Sequence, residues 1–143
     1  MFQVQDLMAS EVFALRKTDN LVVAKSLMEM ARIRHIPIID EDESFIGIIT
    51  HRDILAATVS RFADIDAETQ EEIYTNVPIK EIMRTDVKTV TPDTDIKEAA
   101  QILLEHKYGC LPVLFDHKLV GIITEADFLK LTVKLIDALD VQE

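Results

Sequence analysis

The chain has 143 residues, 48% hydrophobic and 29% charged, which is long enough to bury one core and too apolar for a disordered segment. Its formal charge of −11 argues against non-specific nucleic-acid binding, which rests on lysine and arginine against phosphate, and obliges any anionic ligand to find a locally positive pocket. No apolar run reaches the roughly 20 residues of a membrane helix, Met1–Asp6 lacks signal-peptide features and the single Cys110 excludes an internal disulfide, so a cytoplasmic protein without membrane insertion is expected.

Taken in chain order, the predicted elements come as two matching sets. A short helical turn at Val4–Met8 leads to an extended segment at Val12–Leu15, and Asp19 and Asn20 offer N-cap side chains for a helix over Leu21–Ile33. Two apolar strands, Ile36–Ile39 and Phe45–Ile49, flank a polar turn. Asp53 then stands at the start of a closing helix that continues through Ala56–Ala63, with Leu55, Val59 and Phe62 spaced for one apolar face. Residues 64–78 are acidic and read as a solvated linker, a lid or partner-binding helix being the lesser alternative, with Val77 and Pro78 marking the beginning of the second set. There a turn at Ile79–Met83, an extended Val87–Thr91 and caps at Asp93–Asp95 precede a helix over Ile96–Tyr108, whose Ile96, Ala99, Ala100, Leu103 and Leu104 form one stripe. Strands Leu111–Phe115 and Leu119–Ile123 follow, and Asp127 opens the last helix.

The two sets are a duplication. An offset of 75 residues carries Met8 onto Met83, Ala24 onto Ala99 and Pro37 onto Pro112. One residue is then lost in a loop, and an offset of 74 carries Gly47-Ile48-Ile49-Thr50-x-x-Asp53 onto Gly121-Ile122-Ile123-Thr124-x-x-Asp127. The order β-α-β-β-α twice over defines an α+β (α/β) class, divided as motif 1 at residues 1–63, the linker at 64–78 and motif 2 at 79–143.

The recurring motif has a plain physical content. Its isoleucines suit a buried strand, and its glycine admits another backbone or a ligand at close range. The threonine can cap the next helix, and the aspartate in the first turn can complete a capping-box-like pair with it. The same helix start presents unpaired N–H groups to an anion, and a carboxylate there can accept both hydroxyls of a ribose diol. A helix cap and a ligand site are both compatible with these residues.

The Val/Ile-x-x-x-Met turn, the Ile/Leu-Pro-Ile/Val strand and Gly-x-x-Thr-x-x-Asp together resemble a tandem pair of cystathionine-β-synthase (CBS) domains, a Bateman module, from Val4 to about Thr132. The resemblance implies two motifs packed sheet to sheet with pseudo-twofold symmetry and a homodimer. It also implies a stand-alone regulatory ligand sensor that binds adenine nucleotides or other adenosyl ligands. AMP, ADP or ATP rank ahead of NAD or S-adenosylmethionine, no cofactor is required, and the output goes to a separate effector protein. The alternative is a structural dimerisation or interaction module without a bound nucleotide. In the family each cleft draws on both motifs. One would use Thr50 and Asp53 with Lys80, Met83, Thr85, Tyr108, Gly109, Cys110, Leu111 and Pro112. The other would use Thr124 and Asp127 with Met8, Ser10, Ile33, Arg34, His35, Ile36 and Pro37. Arg34 and His35 give the Asp127 cleft cations that Gly109 and Cys110 do not match, leaving Lys80 and Arg52 for the first, so the Asp127 cleft is expected to bind nucleotide more tightly; the same two residues fit equally a solvated helix end, where cations complement the dipole.

No enzymatic constellation emerges. His35, His51, His106 and His117 lack zinc spacing, and Cys110 has no identifiable base and reads as a small buried hydrophobe. The three glycines form no phosphate loop, and Met8, Met28, Met30 and Met83 fit core or pocket lining.

Overall fold

The computed structural model of the chain describes residues 2–62, 66, 68–69, 72, 77–106 and 109–141, and the side chains of these apart from residues 58–62 and 141. The chain forms two compact units, one from Phe13–Val87 and the other from Met1–Val12 with Lys88–Glu143. These units are not the sequence repeats: each takes in the segment that leads into the other repeat.

In the Phe13–Val87 unit, strands β1 (Leu15–Arg16), β2 (His35–Ile39) and β3 (Phe45–Thr50) form a sheet in that order. β1 runs parallel to β2, and β2 is antiparallel to β3. Helix α1 (Leu21–Ala31) starts where the Asn20 side chain accepts from the Val23 N–H at 3.0 Å, and ends at Arg32, whose φ of 56° is a left-handed C-cap. This stops the helix two residues short of the predicted Ile33. Helix α2 (His51–Phe62) closes the repeat. Leu21, Ala24, Met28, Ile36, Ile38, Ile49 and Ile54 make the core, and Ile79 from the 3-10 turn Ile79–Glu81 joins them with no exposed surface.

The second unit repeats the plan. Helix α3 (Ile96–Glu105), strands β4 (Cys110–Phe115) and β5 (Lys118–Thr124) and helix α4 (Glu125–Val141) follow one another. The extended segment predicted at Val87–Thr91 contributes a single parallel bridge, Val90 to Val113, rather than a strand. Val4, in the 3-10 turn Val4–Asp6, is the counterpart of Ile79 and is likewise fully buried, among Ala99, Leu103, Leu111, Val113 and Ile123. The repeat's one-residue gap lies in the hairpins. Five residues separate the paired Ile39 and Phe45, four separate Leu114 and Leu119, and the turn residues Asp116 and His117 have φ of 50° and 65°, the hand that suits a tight hairpin.

The lead-in segments are bound by the same hydrogen bonds in both units. Ile79 N–H donates to the Asp19 carbonyl and Leu21 N–H to the Val77 carbonyl, as Val4 N–H does to Thr94 and Ile96 N–H to Phe2. Beyond each turn the chain pairs with a sheet edge. Ile48 and Arg84 exchange N–H···O bonds of 2.9 and 2.8 Å, and Ala9 and Ile122 exchange bonds of 2.9 and 3.0 Å. Gly47 and Gly121 permit this approach. A Cβ on Gly47 would lie 2.6 Å from the Arg84 carbonyl oxygen, and one on Gly121 would lie 2.6 Å from Met8 Sδ and 3.0 Å from the Ala9 carbonyl oxygen.

Some side chains depart from expectation. Leu104 is 82% exposed and Met30 85%, so neither belongs to the core. Leu104 lies one residue, about 100°, round the helix from the buried Leu103, and Met30 lies two residues, about 200°, from the buried Met28 and so on nearly the opposite face. Leu55 is half exposed, while Val59 and Phe62 lie outside the described side chains. Of the 64–78 linker only Asp66, Glu68, Thr69, Glu72, Val77 and Pro78 are described; the rest, like Tyr108, lies outside the described residues. No helix of the described residues is long and apolar enough to cross a membrane.

The nature of the atom met at each glycine ranks two substitutions. Gly47→Ala drives a methyl into backbone and should destabilise the fold by about 1–3 kcal/mol, whereas Gly121→Ala first meets a flexible thioether and should cost less. Urea denaturation of the two variants measures this, and an equal or larger loss for Gly121→Ala would contradict it.

Candidate functional site

Each Thr-x-x-Asp begins at the last residue of a strand, so its position is set by the sheet. Thr50 ends β3 opposite His35, and Thr124 ends β5 opposite Cys110. The first residue of the following helix is tied back to the residue ahead of the partner strand: His51 N–H donates to the Arg34 carbonyl at 2.8 Å, and Glu125 N–H donates to the Gly109 carbonyl at 3.1 Å. The structure thus places Arg34 and His35 in the unit that holds Asp53, and Gly109 and Cys110 in the unit that holds Asp127.

At the first copy the threonine and aspartate cap α2 reciprocally. Asp53 N–H donates to Thr50 Oγ1 at 3.1 Å, and Thr50 N–H donates to Asp53 Oδ2 at 3.2 Å. The other carboxylate oxygen, Oδ1, receives the Arg84 guanidinium through Nε at 2.9 Å and Nη2 at 2.8 Å. The Asp53 side chain is 9% exposed and that of Arg84 49%. Both Asp53 oxygens are therefore engaged.

The second copy differs. Thr124 N–H donates to Asp127 Oδ2 at 2.8 Å, and the Thr124 hydroxyl lies 3.4 Å from the same oxygen. Asp127 Oδ1 has no protein partner among the described residues. The residue that corresponds to Arg84 is Ala9, which makes the same backbone pairing and carries no group to reach the carboxylate. Arg84 was not singled out by motif reading; the trace in the sequence is one charged residue facing an alanine within an otherwise matching lead-in segment.

The remaining predicted residues separate by exposure. Thr50, Ile36, Pro37, Cys110, Leu111 and Pro112 are buried, and Ser10, Arg34, Lys80 and Thr85 are exposed. Met8, Ile33, His35, Met83, Gly109 and Thr124 are half-buried, as are both aspartates. Lys80, Met83 and Thr85 share a unit with Thr50 and Asp53, and Met8 and Ser10 share one with Thr124 and Asp127. Burial pushes the Cys110 thiol up to about 12, so it stays protonated at neutral pH and behaves as the small hydrophobe its sequence context suggests.

The profile of the CBS domain matches the chain twice, over residues 4–60 and 79–134. A CBS domain-containing protein of Dictyostelium discoideum is 31% identical over 141 residues, covering 97% of each chain. A candidate acetoin utilization protein of Vibrio cholerae, of known structure, is 37% identical with a TM-score of 0.80, covering 100% of this chain and 98% of that one. A CBS domain pair solved in complex with 5′-methylthioadenosine and S-adenosyl-L-methionine is 26% identical with a TM-score of 0.75, covering 92% of this chain and 99% of that one. Other curated relatives are longer: the chain spans 23% of an inosine-5′-monophosphate dehydrogenase and 20% of a homoserine O-acetyltransferase.

The two caps differ in one measurable respect. Thr50→Ala removes an N-cap bond to a helix N–H and should cost about 0.5–2 kcal/mol. Thr124→Ala removes only a long contact to a carboxylate and should cost less than half of that in the same denaturation assay; equal losses would contradict the difference.

Proposed function

Because the chain belongs to the CBS-domain family and carries two copies in tandem, we propose that it is a regulatory module that binds adenine nucleotides or other adenosyl ligands and signals to a separate protein. The observation that carries this reading is the Asp127 carboxylate. Thr124 fixes it through Oδ2, and Oδ1, which has no protein partner among the described residues, can accept from a ligand. A ribose 2′,3′-diol supplies two hydroxyl donors for such a group, and the N–H groups at the start of α4 suit a phosphate. The adenosyl compounds in the complex of the 26% identical relative support the ligand class. Within it, AMP, ADP and ATP rank ahead of NAD and S-adenosylmethionine.

Thr50 and Asp53 form the second site of the proposal. The family resemblance assigns Tyr108, Gly109 and Cys110 to the Asp53 site, and Ile33, Arg34 and His35 to the Asp127 site. The Asp127 site is the tighter one: its carboxylate is open to the diol, whereas that of Asp53 already holds a guanidinium. No catalytic role is assigned, since the threonines and aspartates serve as caps and ligand acceptors and the one thiol is buried and protonated. Ligand binding would shift the balance between conformations of the module and so alter what a partner sees.

Helix α4 favours a second, compatible reading, an interaction module. Leu129, Val133 and Ile136 follow one another at helical spacing, and each is at least half exposed. We place a second copy of the chain on that face.

Isothermal titration of AMP into the chain and into Asp127→Ala and Asp53→Ala tests both the ligand class and the asymmetry. Asp127→Ala should lose about ten- to a hundredfold in affinity, the worth of one or two charge-assisted hydrogen bonds, and Asp53→Ala less than tenfold. Equal losses would count against the asymmetry. If AMP, ADP, ATP, NAD and S-adenosylmethionine all failed to bind or to stabilise the chain against heat, the sensor reading would fall and the interaction module would stand.

A further inference from the structure

We propose that Arg84 is the specificity-determining residue of the Asp53 site, occupying the carboxylate until an adenosyl ligand that carries phosphate displaces it. The inference rests on the adenosyl reading above and adds to it a discrimination between ligands at one of two duplicated sites.

Four observations carry it. The Arg84 backbone is fixed by its two hydrogen bonds to Ile48, so its side chain starts from a set position beside the first turn of α2. Its Nε and Nη2 both lie on Asp53 Oδ1, at 2.9 and 2.8 Å, the same carboxylate that a ribose diol would require. The two partners differ in exposure, with the Arg84 side chain half exposed and that of Asp53 almost enclosed. At the corresponding position of the other unit Ala9 makes the same backbone pairing and leaves Asp127 Oδ1 without a protein partner among the described residues.

The difference in exposure decides which partner can leave. A nearly enclosed carboxylate stripped of its donors loses much of its stabilisation, so whatever removes Arg84 must bring hydrogen-bond donors of its own. The two hydroxyls of a ribose do so. The Arg84 side chain is half exposed, so the guanidinium can swing outward into water, but it takes its positive charge with it. A ligand with a phosphate gives that charge a bidentate partner, and the ion pair given up on Asp53 is replaced by one on the ligand. A thioether nucleoside such as 5′-methylthioadenosine offers no such replacement, and a sulfonium would repel the displaced cation. The Asp53 site should therefore favour nucleotides over uncharged or cationic adenosyl compounds, while the Asp127 site lacks this filter.

The test is isothermal titration of AMP and 5′-methylthioadenosine in an Asp127→Ala background, which leaves only the Asp53 site, with Arg84 intact, Arg84→Ala or Arg84→Lys. With Arg84 intact, AMP should bind at least about tenfold more tightly than 5′-methylthioadenosine. In Arg84→Ala the freed carboxylate should let the thioether compound gain, while AMP, losing the partner of its phosphate, gains less or nothing, bringing the ratio down by about tenfold, and Arg84→Lys should keep part of the preference because it keeps the charge without the fork. The pairing with Ile48 uses only the backbone of residue 84, so both variants should keep it, and if one fails to fold the other reports. A ratio that is the same in all three, an equal weakening of both ligands in Arg84→Ala, or no binding anywhere in the Asp127→Ala series would overturn the role of Arg84. If binding persists in the chain with Asp127 intact, only this inference falls; if neither ligand binds that chain, the adenosyl reading falls with it.

Discussion

The pairing of a lead-in segment with a strand edge, Arg84 on Ile48 and Ala9 on Ile122, is the constraint on which the rest of the structure depends. A strand edge without a partner leaves its N–H and C=O groups unsatisfied, and here each edge is completed by chain from beyond its own repeat. The same segments deliver Ile79 and Val4 into the two cores with no exposed surface. Neither unit can fill its core or finish its sheet from one sequence repeat. Each unit of the duplication therefore takes its lead-in from the other repeat.

That constraint also explains the order of residues in Gly-Ile-Ile-Thr-x-x-Asp. The glycine lies where a Cβ would strike the incoming segment, and Ile49 and Ile123 fill the cores beneath. The threonine then ends the strand and the aspartate falls in the first helical turn, three residues on, where its carboxylate can accept the threonine N–H. One short motif thus serves strand pairing, core filling and helix capping, and leaves a carboxylate oxygen at the helix start. What occupies that oxygen is set outside the motif, by Arg84 in one unit and by nothing from Ala9 in the other.

The sequence disclosed the duplication, the β-α-β-β-α order and the aspartate positions, because these rest on local periodicity and on a register that runs along the chain. Spacing does not disclose which lead-in belongs to which unit, since the hydrogen bonds from Ile79 to Asp19 and from Val4 to Thr94 join residues far apart; only the family resemblance groups Lys80, Met83 and Thr85 with Asp53, and Met8 and Ser10 with Asp127. Helix ends were legible only in part. Arg32 stops α1 by adopting a left-handed conformation that nothing short of tertiary context announces for an arginine. The exposed Leu104 and Met30 were misplaced because a stripe of apolar residues is wider in sequence than the face that is covered. Arg84 carries no local signal for a related reason: its role depends on a carboxylate 31 residues away that a shared sheet edge brings within reach.

Native-state amide hydrogen exchange tests the exchanged pairing most directly. The N–H groups of Arg84 and Ile48 should exchange together, as should those of Ala9 and Ile122, and all four should be protected to the level of the core strands around Ile36 and Leu111. Exchange of the Arg84 and Ala9 amides at rates near those of an unfolded chain, with the core strands still protected, would contradict the account.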